Sequence, residues 1–75
     1  MNYLIWSGKH DQWWGPNHCG YTPHAEQAGR YTVLEAADIV VPHIPPGQEV
    51  AVPEVMADRW AARKAEERQA QTERF

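Results

Sequence analysis

The chain has one cysteine, Cys19, so no disulfide can close within it. It contains no apolar run long enough to span a bilayer, and no basic stretch followed by an apolar one at its start. Together these absences give the expectation of a soluble, cytoplasmic protein. Cations are scarce where a nucleic-acid face would need them: up to Val52 there are only Lys9 and Arg30. The later cations, Arg59, Arg63, Lys64, Arg68 and Arg74, are matched by Glu54, Asp58, Glu66, Glu67 and Glu73. With a formal net charge of -3, sequence-independent binding of nucleic acid is not expected. Length is also short, at 75 residues, so one core supplies only a few kcal/mol of net stability and association with further copies becomes a natural expectation.

What the chain does have is aromatic: four Trp and three Tyr. They centre on the tract Trp13-Trp14-Gly15-Pro16-Asn17-His18-Cys19-Gly20-Tyr21-Thr22, which mixes rings, glycines, an imidazole and a thiol with no charged residue. Such a composition suits a shaped surface or pocket better than a solvated loop.

In chain order, Tyr3-Leu4-Ile5-Trp6-Ser7 is a β-favouring segment in which Leu4 and Trp6 share one face and Tyr3 and Ile5 the other. A polar, Gly-containing connection of hairpin length follows, and Gln12-Trp13-Trp14 can pair back antiparallel. Trp6 then comes within cross-strand reach of Trp13 or Trp14. One of those two should enter the core and the other face out or line a cleft. Gly15-Pro16-Asn17 ends the strand. Thr22-Pro23 reads as a cap and first position of a short helix closed by Gly29. Thr32-x-x-Glu35 has capping-box spacing and opens a second helix over 33–41, with Val33, Ala36, Ala37, Val40 and Val41 as its apolar positions and Pro42 as its stop. The residues 43–47 read as a stiff connection, and Glu49-Val50-Ala51-Val52 as a third strand. From Pro53 onward helix formers dominate, with Val52, Val55, Met56 and Trp60 as a stripe able to dock on the sheet. The expected architecture is α+β: a small antiparallel sheet of about three strands, a packed helix and a long C-terminal helix. Residues 1–53 would form the compact domain and 54–75 a charged helical extension through which copies pair.

Ile5-Trp6-Ser7, His10, Trp13-Trp14, Pro16, Gly20-Tyr21-Thr22, Ala28-Gly29-Arg30-Tyr31-Thr32, Glu49-Val50 and Val52-Pro53 resemble a family of short uncharacterised proteins from bacteriophages, prophages and proteobacterial genomes. The resemblance runs from Tyr3 to Pro53 and does not include the charged tail. It implies a mobile-element origin and a role in the host cytoplasm, and brings no established activity with it.

Three chemistries compete for the central tract. His10, His18, Cys19 and His24 are competent zinc ligands, but no Cys-x-x-Cys or His-x-x-x-His pair is present, so a small zinc-binding domain is the alternative and no metal or other cofactor is expected. Cys19 with His10, His18 or His24 as base and Glu26 or Asp11 as orienter would make a nucleophile, but no spacing requires it and the chain has little body to enclose a substrate; enzyme activity is not expected. Binding suits the residues better. Trp6, Trp13, Trp14, Tyr21 and Tyr31 offer flat faces, His10, Asn17 and His18 offer polar edges, and Arg30 could hold an anion. The competing reading of most of these rings is simply core. The expectation is a protein that sequesters a small aromatic or nucleotide-like ligand, such as a signal made by host defence. The alternative from the same rings and the projecting tail is a module that inhibits or diverts a host protein.

Overall fold

The computed structural model describes residues 1–42 and 48–72. The expected stiff connection at 43–47 and the last residues of the tail lie outside the described residues. Strands β1 (Tyr3–Ser7), β2 (Gln12–Trp14), β3 (Tyr21–Thr22) and β4 (Glu49–Pro53) form one antiparallel sheet in the order β3-β2-β1-β4. Helix α1 (Val33–Val40) lies on one face and α2 (Ala57–Thr72) on the other. The class is α+β.

The parity of β1 sorts the core. Leu4 and Trp6 point towards α2, where they meet Trp13, Val52, Ala28 and Ala57, with Val50, Ala25, Trp60 and Ala61 packed around them. Ile5 points the other way, towards Tyr31, Ala36 and Ile39, with Tyr3, Trp14, Val40 and Ala51 alongside. A strand covered on both sides must be apolar at successive positions, which is why Leu4, Ile5 and Trp6 are all buried. Trp6 stands directly opposite Trp13 in the register, and their rings meet edge-to-face with centroids 5.0 Å apart. The adjacent Trp14 therefore faces the α1 side.

Past Trp14, β2 leaves the sheet and residues 29–31 take its place beside β1. Tyr3 and Tyr31 exchange N–H to carbonyl bonds of 2.8 Å in both directions, and Gly29 N–H bonds the Trp14 carbonyl. The insertion is tight: a Cβ on Gly29 would meet the Gly15 carbonyl oxygen at 2.8 Å and the Tyr31 ring at a similar distance.

Three expectations need correction. Thr22 belongs to a fourth strand, paired with Trp13, and caps no α-helix; its hydroxyl accepts from His24 N–H, and only a 3-10 turn, Ala25–Gln27, forms before the chain must return to β1. Helix α1 has the expected capping box, Thr32 Oγ1 accepting from Glu35 N–H and Glu35 Oε1 from Thr32 N–H, but its buried face is Ala36, Ile39 and half-buried Val40. Val33, Ala37 and Val41 are exposed, because the entry of the helix from buried Tyr31 turns the 36/39/40 stripe onto the sheet. Finally, Pro53 is the last residue of β4, opposite Tyr3, so the helix starts after a 3-10 turn, Glu54–Met56. That delay shifts the docked stripe to Ala57, Trp60 and Ala61 and leaves Val55 and Met56 exposed.

Candidate ligand-binding ledge

Helix α1 covers β1 and β4 but stops short of β2 and β3, and there the rings of the central tract collect. The register places Tyr21 opposite Trp14, so both occupy the α1 side of the sheet. Their rings are 6.2 Å apart and nearly perpendicular at 81°. His10, in the turn between β1 and β2, stacks on Tyr21 with centroids 4.0 Å apart. His18 meets Trp14 at 5.9 Å and 72°, and Tyr31 at 5.4 Å. The result is a continuous aromatic ledge, His10, Tyr21, Trp14, His18 and Tyr31. Tyr21 is 46% exposed, His10 and His18 are exposed, and Trp14 is half-buried.

Two devices hold it. The first is a buried carboxylate. Glu49 opens β4 opposite Ser7, on the same face as Trp14, and is only 6% exposed. Trp14 reaches over β1 and donates its indole Nε1–H to Glu49 Oε2 at 2.5 Å, while Ser7 Oγ, 3.4 Å from Oε1, also accepts from His10 N–H. A carboxylate out of water needs donors, and these fix the indole in one orientation. The second device is the Tyr31 hydroxyl. It donates to the Gly15 carbonyl at 2.5 Å and accepts from His18 N–H at 3.1 Å, tying the start of a turn to its middle, where Asn17 and His18 have φ of 56° and 60°. Left-handed conformations at non-glycine residues cost about 1 to 3 kcal/mol each unless surroundings enforce them. The turn closes through Gly15 N–H to the Gly20 carbonyl, with Gly20 at φ 71°. Beside it, Glu35 has its carboxyl held below the usual value of 4.5 by the Thr32 backbone N–H first, then the Thr32 hydroxyl, with the nearby His18 imidazole adding to the same effect.

Of the residues expected at a site, His10, Trp14, His18, Tyr21 and Tyr31 come together, and Asn17 lies in the exposed turn between them. Trp6 and Trp13 do not join them. Both are buried on the opposite face with Trp60, whose ring lies 6.4 Å from that of Trp6, so no ligand on the ledge reaches them. Arg30 also points elsewhere. Its Nε pairs with Glu54 at 2.6 Å and its Nη1 donates to the Ala25 and Ala28 carbonyls, so it clamps the 3-10 turn to the end of β4. Glu49 and Ser7 were the residues that sequence reading passed over. An acid at the start of a strand reads as solvated, and only the parity that puts Glu49 on the face of Ala51 could have flagged it. Among the described residues no three His, Cys, Asp or Glu side chains are grouped to hold a metal ion, and Cys19 is exposed.

A second surface lies on α2, where Met56, Arg59, Trp60, Arg63, Lys64 and Glu67 line a shallow groove of about 430 Å³. Lys64 Nζ sits 5.0 Å from the Trp60 ring centroid and 3.3 Å from Glu67. No helix among the described residues is long and apolar enough to cross a membrane.

Comparison with protein-family models, curated proteins and solved structures finds no match.

Proposed function

We propose that this protein is a non-catalytic binding protein that takes a small flat aromatic ligand on the ledge formed by His10, Trp14, His18 and Tyr21. The observation that carries this reading is the concentration of four half-buried or exposed rings on the α1 side of the sheet beside β2 and β3, where α1 does not reach. Aromatic faces bind other rings through offset or edge contacts, at little entropic cost because each ring has few rotatable bonds. A rigid indole held by Glu49 and a turn held by Tyr31 pre-form the surface, which lowers the ordering cost of binding. A nucleobase falls within this ligand class. The resemblance to phage and prophage proteins extends this reading to sequestration of a small signal in the host cytoplasm.

The test is a titration of the full chain with quinoline, adenosine and indole, followed by two-dimensional amide NMR. Saturable shifts at the Trp14 indole N–H and at the amides of His10, His18 and Tyr21 are expected. Shifts confined to α2, or none with any of the three, would refute the reading.

The groove on α2 favours a second reading, in which the protein also binds another polypeptide. Its basic residues Arg59, Arg63 and Lys64 precede the acidic Glu66 and Glu67 along one helix, so two copies laid antiparallel would bring opposite charges together. A sedimentation coefficient that rises with protein concentration in the full chain, and falls back in Arg63→Glu, would support it.

A further inference from the structure

We infer that the ledge selects a positively charged ligand, a ring or small group bearing a quaternary or methylated nitrogen, over a neutral or phosphate-bearing one. This rests on the binding reading above and names the ligand class of the same site.

Three observations converge. The first is electronic. The Trp14 N–H donates to a buried carboxylate, which pushes electron density into the indole and deepens the negative potential over its faces. Trp is already the ring that binds cations best, and an anion bonded to its N–H strengthens that preference. Trp13, by contrast, has a buried Nε1 with no hydrogen-bond partner among the described residues.

The second is shape. Tyr21 stands at 81° and His18 at 72° to the Trp14 ring, with centroids 6.2 Å and 5.9 Å from it. The perpendicular Trp14 and Tyr21 rings form a corner in which one compact cation can lie within about 6 Å of both centroids, the range over which such rings attract it. A large flat ligand can stack on only one wall of such a corner.

The third is charge. A phosphate-bearing ligand needs a free guanidinium or ammonium, and Arg30 is engaged with Glu54 and two carbonyls away from the ledge. Lys9 lies in the exposed turn between β1 and β2, one residue before His10 and two before Asp11. The acid in contact with the ledge is Glu49, which meets the edge of Trp14 along the indole N–H. Among the described residues no Lys or Arg side chain pairs with Glu49. A cation on the ring above supplies the missing positive charge.

The experiment compares three probes on the full chain by the same NMR titration: the cation 1-methylquinolinium, the neutral quinoline and the anion AMP. The cation should bind about tenfold tighter than quinoline, the equivalent of about 1.4 kcal/mol, with AMP weakest. Glu49→Gln keeps an acceptor for the Trp14 N–H but removes the charge, and should bring the ratio of 1-methylquinolinium to quinoline affinity down from about tenfold towards one. Should that buried variant fail to fold, Tyr21→Leu, at an exposed position, removes one wall of the corner and should weaken the cation more than quinoline. Equal affinity for 1-methylquinolinium and quinoline, or tighter binding of AMP, overturns the charge preference and leaves the ledge as a binding site. Absence of any shift at the ledge with all three probes overturns both.

Discussion

Tyr31→Phe removes one oxygen atom and should be among the most damaging conservative changes in the protein. The hydroxyl is buried, donates to the Gly15 carbonyl and accepts from His18 N–H, so two backbone groups lose a partner together. A net contribution of about 0.5 to 1.5 kcal/mol for each bond, plus part of the desolvation penalty of the buried Gly15 carbonyl, gives a loss of about 2 kcal/mol. The turn it holds contains two non-glycine residues in the left-handed region, so the same change frees the strain at Asn17 and His18 and lets the turn relax. In urea, a domain of this size has a slope near the lower end of the range, about 1 kcal/mol per molar, so the midpoint should fall by about 2 M. The melting temperature should fall by about 8 to 16 °C. Tyr3→Phe is the control, because the Tyr3 hydroxyl makes no hydrogen bond among the described residues, and it should cost under about 0.5 kcal/mol. Equal midpoints for Tyr31→Phe and Tyr3→Phe would show that the hydroxyl does not hold the turn, and the account of a pre-formed ledge would fail with it.

Thr32→Ala should cost about 1 kcal/mol in chemical unfolding through loss of the α1 cap. The Glu35 carboxyl, titrating below 4.5 in the folded chain, stabilises the fold above its unfolded value and loses that contribution as pH falls through its folded value. The stability difference between the parent and Glu35→Gln should therefore be full at neutral pH and vanish on acidification; a difference that persists in strong acid would contradict the linkage. Arg30→Ala should destabilise by about 1 to 2 kcal/mol while leaving ligand affinity unchanged; most of that comes from its bonds to the Ala25 and Ala28 carbonyls, because the ion pair with Glu54 is more than a third exposed and screened. Lost affinity with retained stability would return Arg30 to the site.

The parts of this structure legible in the sequence are those set by neighbours along the chain. The alternation of Tyr3 to Ser7 gives both faces of β1, the hairpin spacing brings Trp6 to Trp13, and Thr32-x-x-Glu35 forms the capping box it spells. What was not legible depends on partners far away in sequence. Strand β3 has two residues and exists because Trp13 and Trp14 offer it an edge. The burial of Ile39 rather than Val33 follows from how Tyr31 enters, and Tyr31 is positioned by Tyr3. Arg30 looked like an anion holder because its ion-pair partner, Glu54, lies beyond the next helix and strand. At the ledge the same division holds: sequence brought His10, Trp14, His18 and Tyr21 to attention as a group, but the carboxylate that organises them comes from β4.

Glu49 is also the strongest reason to regard the ledge as more than packing. Trp13 and Trp14 are consecutive, large and aromatic, yet only one of them is served by an acid. Trp13 is fully buried against Trp6 and its N–H has no partner among the described residues, which is how a ring used for volume alone behaves when burial outweighs one lost hydrogen bond. Were Trp14 also there only to fill space, an apolar pair would serve as well, since replacing both partners of a hydrogen bond by apolar groups of similar shape is nearly neutral or stabilising. The double variant Trp14→Phe/Glu49→Leu makes that replacement. It should unfold at a urea midpoint equal to or above that of the parent, whereas Trp14→Phe alone leaves Glu49 with only Ser7 as donor and should cost about 1.5 to 3 kcal/mol of stability. The double variant should also lose 1-methylquinolinium binding entirely. Stability gained together with binding lost means that the acid is kept under Trp14 for what the ring holds. A double variant markedly less stable than the parent would instead make the indole and its carboxylate part of the core, and the site would have to be sought on α2.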